Sequence, residues 1–235
     1  MSEAQRAVVM AIGGHVGDME LTCGGVLASR ALAGDRIVTV GLTPGEKGNP
    51  EGIRVDEYRE QKRSEAKRFA ERLGGEAVVF DYPDGQLSVN DEAAFRLCDV
   101  IRSYKPSVLI THWKDSIHQD HVAAHELTHR AQLYAALPGF EREHPAHFAA
   151  GPYYAENWED PFGFVPSVYH RVSEEGFELW REAIALHWFT VHSTSFEYRE
   201  YYTHLMSARG IEARTRYAQA FDQPPMSKRR VVDSF

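Results

Sequence analysis

The chain has 235 residues, of which 43% are hydrophobic and 26% charged, and its formal net charge is −8. This length suits one α/β domain with a sizeable core, and the acidic balance argues against nucleic acid as a partner, because a phosphate backbone is bound by surplus Lys and Arg. No apolar stretch approaches the roughly 20 residues of a membrane span, and the first residues lack the layout of a signal peptide, so we expect a cytoplasmic protein without a membrane partner.

Strand-like apolar runs alternate with helical patterns through the first half of the chain. The runs predict strands at 6–12, 36–42, 76–82 and 107–113, and the helical patterns predict helices at 20–33, 55–73 and 91–104. This βαβ repetition predicts an α/β fold with a Rossmann-like, mostly parallel β-sheet flanked by helices on both faces.

The second half of the chain is less regular. It predicts a strand at 167–172, helices at 174–188 and 195–208, and a last strand at 215–221. The residues that follow are polar and contain prolines, so we expect a tail or an arm on a neighbouring subunit.

The segments that follow the predicted strands carry polar residues. Ligands of parallel sheets bind beyond the carboxyl ends of the strands. GGHVGD follows the first strand, TPGE the second, PDG the third and HWKDSIHQDH the fourth. The two histidine-containing segments are therefore expected to meet at one rim of the sheet, although they lie far apart in the chain.

One zinc motif lies between His125 and His129. His125-Glu126-Leu127-Thr128-His129 spells H-E-x-x-H, which on a helix presents two ligands beside a general base. Metalloproteases with this motif need a third ligand, either a histidine six residues later or a glutamate on a neighbouring helix, and Ala135 occupies the histidine position. A metalloprotease is therefore the weakest alternative, and we interpret both histidines as part of an ordinary helix face.

A different ligand set is available at the expected rim. Because Cys23 and Cys98 are the only cysteines, a zinc ion would have to bind His, Asp or Glu. A catalytic zinc needs three protein ligands and an open position, and His15, Asp18 and His121 can supply the three. The alternative is that His15 closes the turn and Asp18 caps the helix.

The stretch AIGGHVGDMELTCGGVLA resembles the opening motif of the PIG-L/LmbE family of zinc-dependent N-deacetylases, A-H-P-D-D-x-E-L-x-C-G-G-x-L-A. The resemblance continues, in the family's order, through LTPGEKG, PDGQL, HQDH and TRYAQAF. It implies an LmbE-like domain over residues 1–222 and a polar tail over 223–235. It also implies that His15, Asp18 and His121 bind Zn²⁺, or another divalent metal such as Fe²⁺, which accepts the same ligand set.

The resemblance further implies removal of an N-acetyl group from an amino-sugar conjugate, such as an N-acetylglucosamine derivative. Zinc would polarise the amide carbonyl and lower the pKa of water towards about 7. His118 would protonate the leaving amine, with Asp120 as its orienting partner. Family positions for substrate binding are occupied by Asp84, Lys62 and His187, and the family is commonly homo-oligomeric.

Gly17 departs from the family, which has Asp at this position as the general base for the attacking water. Losing a general base typically costs about 10²–10⁴-fold in rate. One interpretation is a slow deacetylase in which Asp115, Glu46 or Glu20 replaces the base; the other is a catalytically impaired homologue that binds metal or ligand. Retention of His118 favours the enzyme, because a binding protein has no use for a proton donor.

Overall fold

The computed structural model describes residues 6–229 and residue 231. Seven strands form one sheet: β1 (Val8–His15), β2 (Arg36–Thr43), β3 (Glu76–Val79), β4 (Val108–Thr111), β5 (Ala150–Ala155), β6 (Val168–Val172) and β7 (Tyr217–Asp222). Their order in the sheet is β3-β2-β1-β4-β5-β7-β6.

Helices of the described residues connect and cover the strands. They are α1 (Asp18–Thr22), α2 (Gly24–Leu32), α3 (Val55–Arg72), α4 (Asp91–Tyr104), α5 (Gln119–Ala136), α6 (Glu174–Ile184), α7 (Trp188–His192) and α8 (Tyr198–Glu212), with short 3₁₀ turns at Glu46–Gly48 and Pro225–Lys228.

The centre of the sheet is parallel, as predicted. β1 pairs with β2 on one side and with β4 on the other, and β3 and β5 extend the parallel part. β7 runs antiparallel to both β5 and β6. Five parallel strands therefore direct their carboxyl ends to one rim, where ligands of such sheets bind.

Side chains of β1 alternate between two apolar cores, one on each face of the sheet. Val9 and Ala11 pack with α2, α6 and α8 on one face, whereas Met10 and Ile12 pack with α4 and α5 on the other. Burial on both faces explains why the run VVMAI contains no polar residue.

The structure differs from the prediction at one strand and two helices. β5 was not predicted, because Gly151 and Pro152 interrupt its apolar pattern, and it forms by pairing with β4 and β7. The helix predicted at 20–33 is divided at Cys23, whose φ of −131° lies outside the helical range. The helix predicted at 174–188 ends at Ile184, and the short helix α7 begins at Trp188.

Within the described range, none of the helices combines the length and the apolar character needed to cross a membrane. The predicted tail, 223–235, contains the 3₁₀ turn Pro225–Lys228, and Lys228 contacts Asp222 of β7. Residues 230 and 232–235 lie outside the described residues. The division at residue 222 and an arm on a neighbouring subunit stay predictions.

Candidate active site

His15 and Asp18 lie where the central strand turns into α1. β1 ends at His15, and Glu20 closes the turn because its Oε2 accepts a hydrogen bond from the Gly17 N–H at 3.0 Å. Asp18 Oδ2 accepts from the His15 N–H at 2.7 Å. The same oxygen lies 3.2 Å from His15 Nδ1, so the turn brings the imidazole and the carboxylate together.

Asp18 Oδ2 is also approached by imidazoles from two other elements. His121 Nε2, on the first turn of α5, lies 3.3 Å away. His112 Nε2, directly after β4, lies 3.1 Å away. The three predicted metal ligands, His15, Asp18 and His121, therefore converge at one point of the rim, and their role as ligands stays a prediction.

His112 is a member of the cluster that the sequence analysis did not single out. Its side chain is fully buried, and its ring stacks on that of His121 with centroids 3.9 Å apart. The Gly14 N–H donates to its Nε2 at 3.1 Å. A neutral His112 accepts this bond, whereas a protonated one donates to Asp18 instead. Its place directly after a parallel strand was the one signal available in the sequence.

Groups of side chains in this cluster can hold a metal ion. Among the described residues, three groups bring their ligand atoms within 4.8 Å of one another: His15 with His118 and His121, Asp18 with His112 and His121, and His15 with Asp84 and Asp120. The first two groups each contain two of the three predicted ligands. The buried imidazole and carboxylate donors suit zinc and related divalent ions.

In both predicted ligand histidines, carboxylates face the ring nitrogen that is not directed at Asp18. His15 Nε2 lies 3.2 Å from Asp84 Oδ1 and 3.3 Å from Asp120 Oδ2. His121 Nδ1 lies 3.4 Å from Asp160 Oδ1. This pattern is typical of metal-binding histidines, whose second nitrogen usually donates to a carboxylate, a carbonyl or a water.

The carboxylates also shift the pKa values of the cluster. Burial alone would lower the pKa of His121, but Asp18 and Asp160 outweigh burial and raise it to about 9. Burial likewise opposes ionisation of Asp160, yet the neighbouring imidazoles of His112 and His121 hold its pKa at about 2. The site is therefore built to keep its carboxylates charged next to cationic partners.

His118 caps α5 beside the cluster. Its Nδ1 accepts from the Asp120 N–H at 3.2 Å, so a neutral ring carries its proton on Nε2. The Asp120 carboxylate, predicted to orient His118, instead accepts from the N–H groups of Gly85 at 2.6 Å and Leu87 at 3.2 Å and faces His15. Asp120 thus holds the PDG turn and the first predicted ligand, and contacts His118 through its backbone.

A cavity of about 830 Å³ opens beside the cluster. His118 and Glu159 line it together with an aromatic wall made by Trp158, Trp188, Phe189 and Tyr198. The volume lies within the range of small-ligand sites.

The residues predicted to bind substrate lie at different depths. Asp84 lines the cavity, but its Oδ2 accepts from the Lys47 N–H at 2.9 Å and its Oδ1 faces His15. Lys62 also lines it, and its buried Nζ donates to the Val16 carbonyl at 2.6 Å. His187 is fully buried behind the cavity wall, with its Nδ1 3.8 Å from Glu65 Oε2.

The space beside Gly17 is occupied. Gly17 has a φ of 106°, which L side chains rarely adopt, and a Cβ at this position would lie 2.7 Å from Phe189 Cε1 and 3.6 Å from Lys62 Nζ. A carboxylate therefore cannot stand here without moving the Phe189 ring. The packing around residue 17 therefore suits glycine.

The three residues considered as replacement bases have other contacts. Glu20 is buried and bonds to the Gly17 backbone. Glu46 is buried, and its Oε1 accepts from Arg59 at 2.6 Å and from the Asp84 N–H at 3.3 Å. Asp115 pairs with Lys114. Replacement of the base by one of them stays a prediction.

The H-E-x-x-H motif lies on a different face of α5. His125 Nδ1 donates to the His112 carbonyl at 2.9 Å, and His129 Nε2 lies 2.8 Å from the Tyr154 hydroxyl. Glu126 is exposed. None of the metal-capable groups found in the described part of the chain includes these residues, in line with the interpretation as an ordinary helix face.

Sequence comparisons relate the chain to one family. Residues 10–132 match the family described as PIG-L, GlcNAc-PI de-N-acetylase. The chain is 27% identical to a 4-oxalmesaconate hydratase from Pseudomonas putida, over 91% of this chain and 83% of that protein. It is 29% identical to an uncharacterized deacetylase from Escherichia coli, over 79% and 93%. It is 30% identical to a 1D-myo-inositol 2-acetamido-2-deoxy-alpha-D-glucopyranoside deacetylase from Catenulispora acidiphila, over 56% of this chain and half of that protein.

Solved structures share the fold. A 4-carboxy-2-hydroxymuconate hydratase from Pseudomonas putida superposes with a TM-score of 0.85 at 22% identity, covering 97% of this chain and 99% of that one. An N,N'-diacetylchitobiose deacetylase from Pyrococcus horikoshii superposes with a TM-score of 0.81 at 19% identity, covering 97% and 88%. The mostly parallel sheet with its helices is therefore an established architecture, which is found in a hydratase and in a deacetylase.

Proposed function

Because the chain belongs to the PIG-L family of GlcNAc-PI de-N-acetylases, we propose that it is a metal-dependent hydrolase that removes an N-acetyl group, or a related N-acyl group, from an amino-sugar conjugate. The observation that carries this proposal is the meeting of His15, Asp18 and His121 beside a cavity that His118 also lines. Several deacetylases of N-acetylated sugars are among the relatives of the chain.

The donor set fits a divalent cation, and we propose Zn²⁺ held by His15, Asp18 and His121. Their donor atoms are His15 Nδ1, Asp18 Oδ2 and His121 Nε2, because His15 Nδ1 lies 3.2 Å and His121 Nε2 3.3 Å from Asp18 Oδ2. Such a cation supplies positive charge that polarises the acyl carbonyl.

His118 is the proton donor in this proposal. Its Nδ1 is held by the Asp120 backbone, so the proton on Nε2 belongs to the nitrogen that the main chain leaves free. An amide anion is a very poor leaving group, and a positioned imidazole typically contributes about 10²–10⁴-fold by protonating it. The aromatic wall provides apolar surface against which a sugar ring can pack.

A second reaction, hydration of an unsaturated carboxylate, is favoured by two observations. The relative that matches 91% of the chain is a hydratase, and residue 17 lacks the carboxylate that deacetylases of the family use as base. Both reactions add water to a polarised double bond, so one cation and one imidazole serve either. Lys47 and Lys62 in the cavity supply charge for a substrate carboxylate.

The two reactions are separated by assaying the zinc-loaded and the chelator-treated protein on two substrates. N-acetylglucosamine conjugates report deacetylation through release of acetate and a primary amine. 4-Carboxy-2-hydroxymuconate reports hydration through loss of its conjugated absorbance. We expect zinc-dependent acetate release. Hydration alone would replace the first proposal with the second, and inactivity on both would leave the impaired homologue.

A further inference from the structure

Asp160 is a fully buried carboxylate in the loop after β5 that no sequence pattern indicated. We propose that Asp160 is a positioning residue that fixes the proton positions of His112 and His121 together, so that both Nε2 atoms face the site without a proton. This inference rests on the proposed metal site but on neither proposed substrate.

The contacts of Asp160 divide its two oxygens between two rings. Oδ1 lies 3.4 Å from His121 Nδ1, and Oδ2 lies 3.5 Å from His112 Nδ1. An ionised carboxylate only accepts hydrogen bonds. His121 Nδ1 therefore donates to Oδ1. His112 Nε2 accepts from the Gly14 N–H at 3.1 Å, so a neutral His112 carries its proton on Nδ1, where Asp160 Oδ2 is the facing acceptor although the pair lacks hydrogen-bond geometry. The two rings stack with centroids 3.9 Å apart and an angle of 12°.

The two unprotonated Nε2 atoms then have different partners. His121 Nε2 keeps its lone pair towards Asp18 and the proposed cation. His112 Nε2 accepts the Gly14 N–H, which holds the end of β1 one residue before His15. Asp160 thus positions the proposed ligand His121 directly. It positions the proposed ligand His15 indirectly, through His112 and the main chain at Gly14.

The loop that carries Asp160 is itself held in place. The Asp160 N–H donates to the Asn157 carbonyl at 3.0 Å, and Asn157 Oδ1 accepts from the Tyr202 hydroxyl at 2.8 Å. Glu159, the neighbouring acid, lies farther from the same histidine, with Oε2 3.7 Å from His121 Nδ1, and it lines the cavity. Asp160 is therefore the acid that packing directs at the rings.

Cobalt(II) binding to Asp160→Asn tests the proposal. An amide can accept one ring proton but not two, so one ring must move its proton to Nε2. We expect the dissociation constant for cobalt(II) to rise about 10–100-fold and the visible spectrum of the bound ion to change. Asp222→Asn, which alters a buried Asp of β7 that is bonded to Ser167, should bind cobalt as the unaltered protein does.

Cobalt affinity and spectrum that are unchanged in Asp160→Asn would overturn the proposal. If that variant does not fold, the proton positions are read directly from nitrogen-15 NMR of the metal-free protein, at a pH that leaves both rings neutral. His112→Gln and His121→Gln assign the signals. A proton on Nε2 of either ring would contradict the inference. Failure of the unaltered protein to bind cobalt would instead count against the proposed metal site.

Discussion

Helix α5 presents two histidine-bearing regions with opposite properties. At its start, His121 faces Asp18 and Asp160, and these charges raise its pKa to about 9 against the effect of burial. Two turns later, His129 packs against Tyr154 and His125, and burial, with the charge of His125, lowers its pKa to about 4. Without a bound cation, the surroundings therefore favour the protonated imidazole in one region of the helix and the neutral imidazole in the other.

The comparison indicates what makes a histidine a candidate ligand here. His121 is at the rim, where the ends of β1 and β4 bring a carboxylate to its Nε2. His125 and His129 lie beside β4 and β5, where carbonyl and hydroxyl groups satisfy them. Local spacing in H-E-x-x-H is correct for zinc, but surrounding carboxylates decide the site.

Removing one imidazole from each region gives the largest expected difference. His121→Ala and His15→Ala should reduce bound metal from about one ion per chain, as a single catalytic site requires, to background. His125→Ala should retain it. Elemental mass spectrometry of the purified proteins measures this. Loss of metal in His125→Ala alone would reverse the assignment of the two regions.

His118 belongs to the rim region but is predicted to act on protons rather than on the metal. His118→Gln should lower the turnover of the proposed reaction by about 10²–10⁴-fold and leave the metal content unchanged. Steady-state kinetics and metal analysis on the same sample separate the effects. Loss of metal together with activity would make His118 a ligand, as one of the metal-capable groups allows.

The variant Gly17→Asp tests whether the fold tolerates a carboxylate side chain at residue 17. Gly17→Asp should destabilise the fold by roughly 2–4 kcal/mol, from the unfavourable backbone angle and from overpacking against Phe189. Gly74→Asp is the control, because its φ is 67° and no atom would lie within 4 Å of the added Cβ; it should cost about 1 kcal/mol. Urea unfolding measures both.

The double variant Gly17→Asp with Phe189→Ala asks whether a restored carboxylate works. Removing the ring makes room for the side chain, so deacetylation should be faster than in Phe189→Ala alone. Equal rates in the two proteins would indicate that the proton acceptor lies elsewhere in this chain.

Substitution of His129, in the region away from the rim, should have the smallest effect. The quantity it changes is the pH dependence of the free energy of unfolding. Its pKa is about 4 in the fold and near 6.5 when unfolded, so the unfolded chain binds the extra proton between these values. The stability contribution is complete above pH 6.5 and is lost as the pH falls towards 4, by roughly 1–2 kcal/mol given partial exposure. His129→Gln should flatten this part of the stability profile in urea unfolding at several pH values. A profile like that of the unaltered protein would contradict the assignment.

Much of the fold was predictable because its signals are local. Apolar runs of strand length and helical periodicity predicted the parallel strands through β4, and Asp91–Tyr104 was predicted with its observed bounds. β5 was missed because Gly151 and Pro152 hide its pattern, and pairing with β4 supplies what the local sequence lacks. The loop that follows β5, with Asp160, was therefore missed as well.

By itself the sequence determined the α/β class, the family and the convergence of His15, Asp18 and His121, because short motifs after parallel strands must meet at one rim. Only the tertiary structure decided that His112 joins them, that Asp160 faces two rings, and that Phe189 occupies the space beside Gly17. Those contacts join residues distant in the chain, so packing rather than spacing determines them.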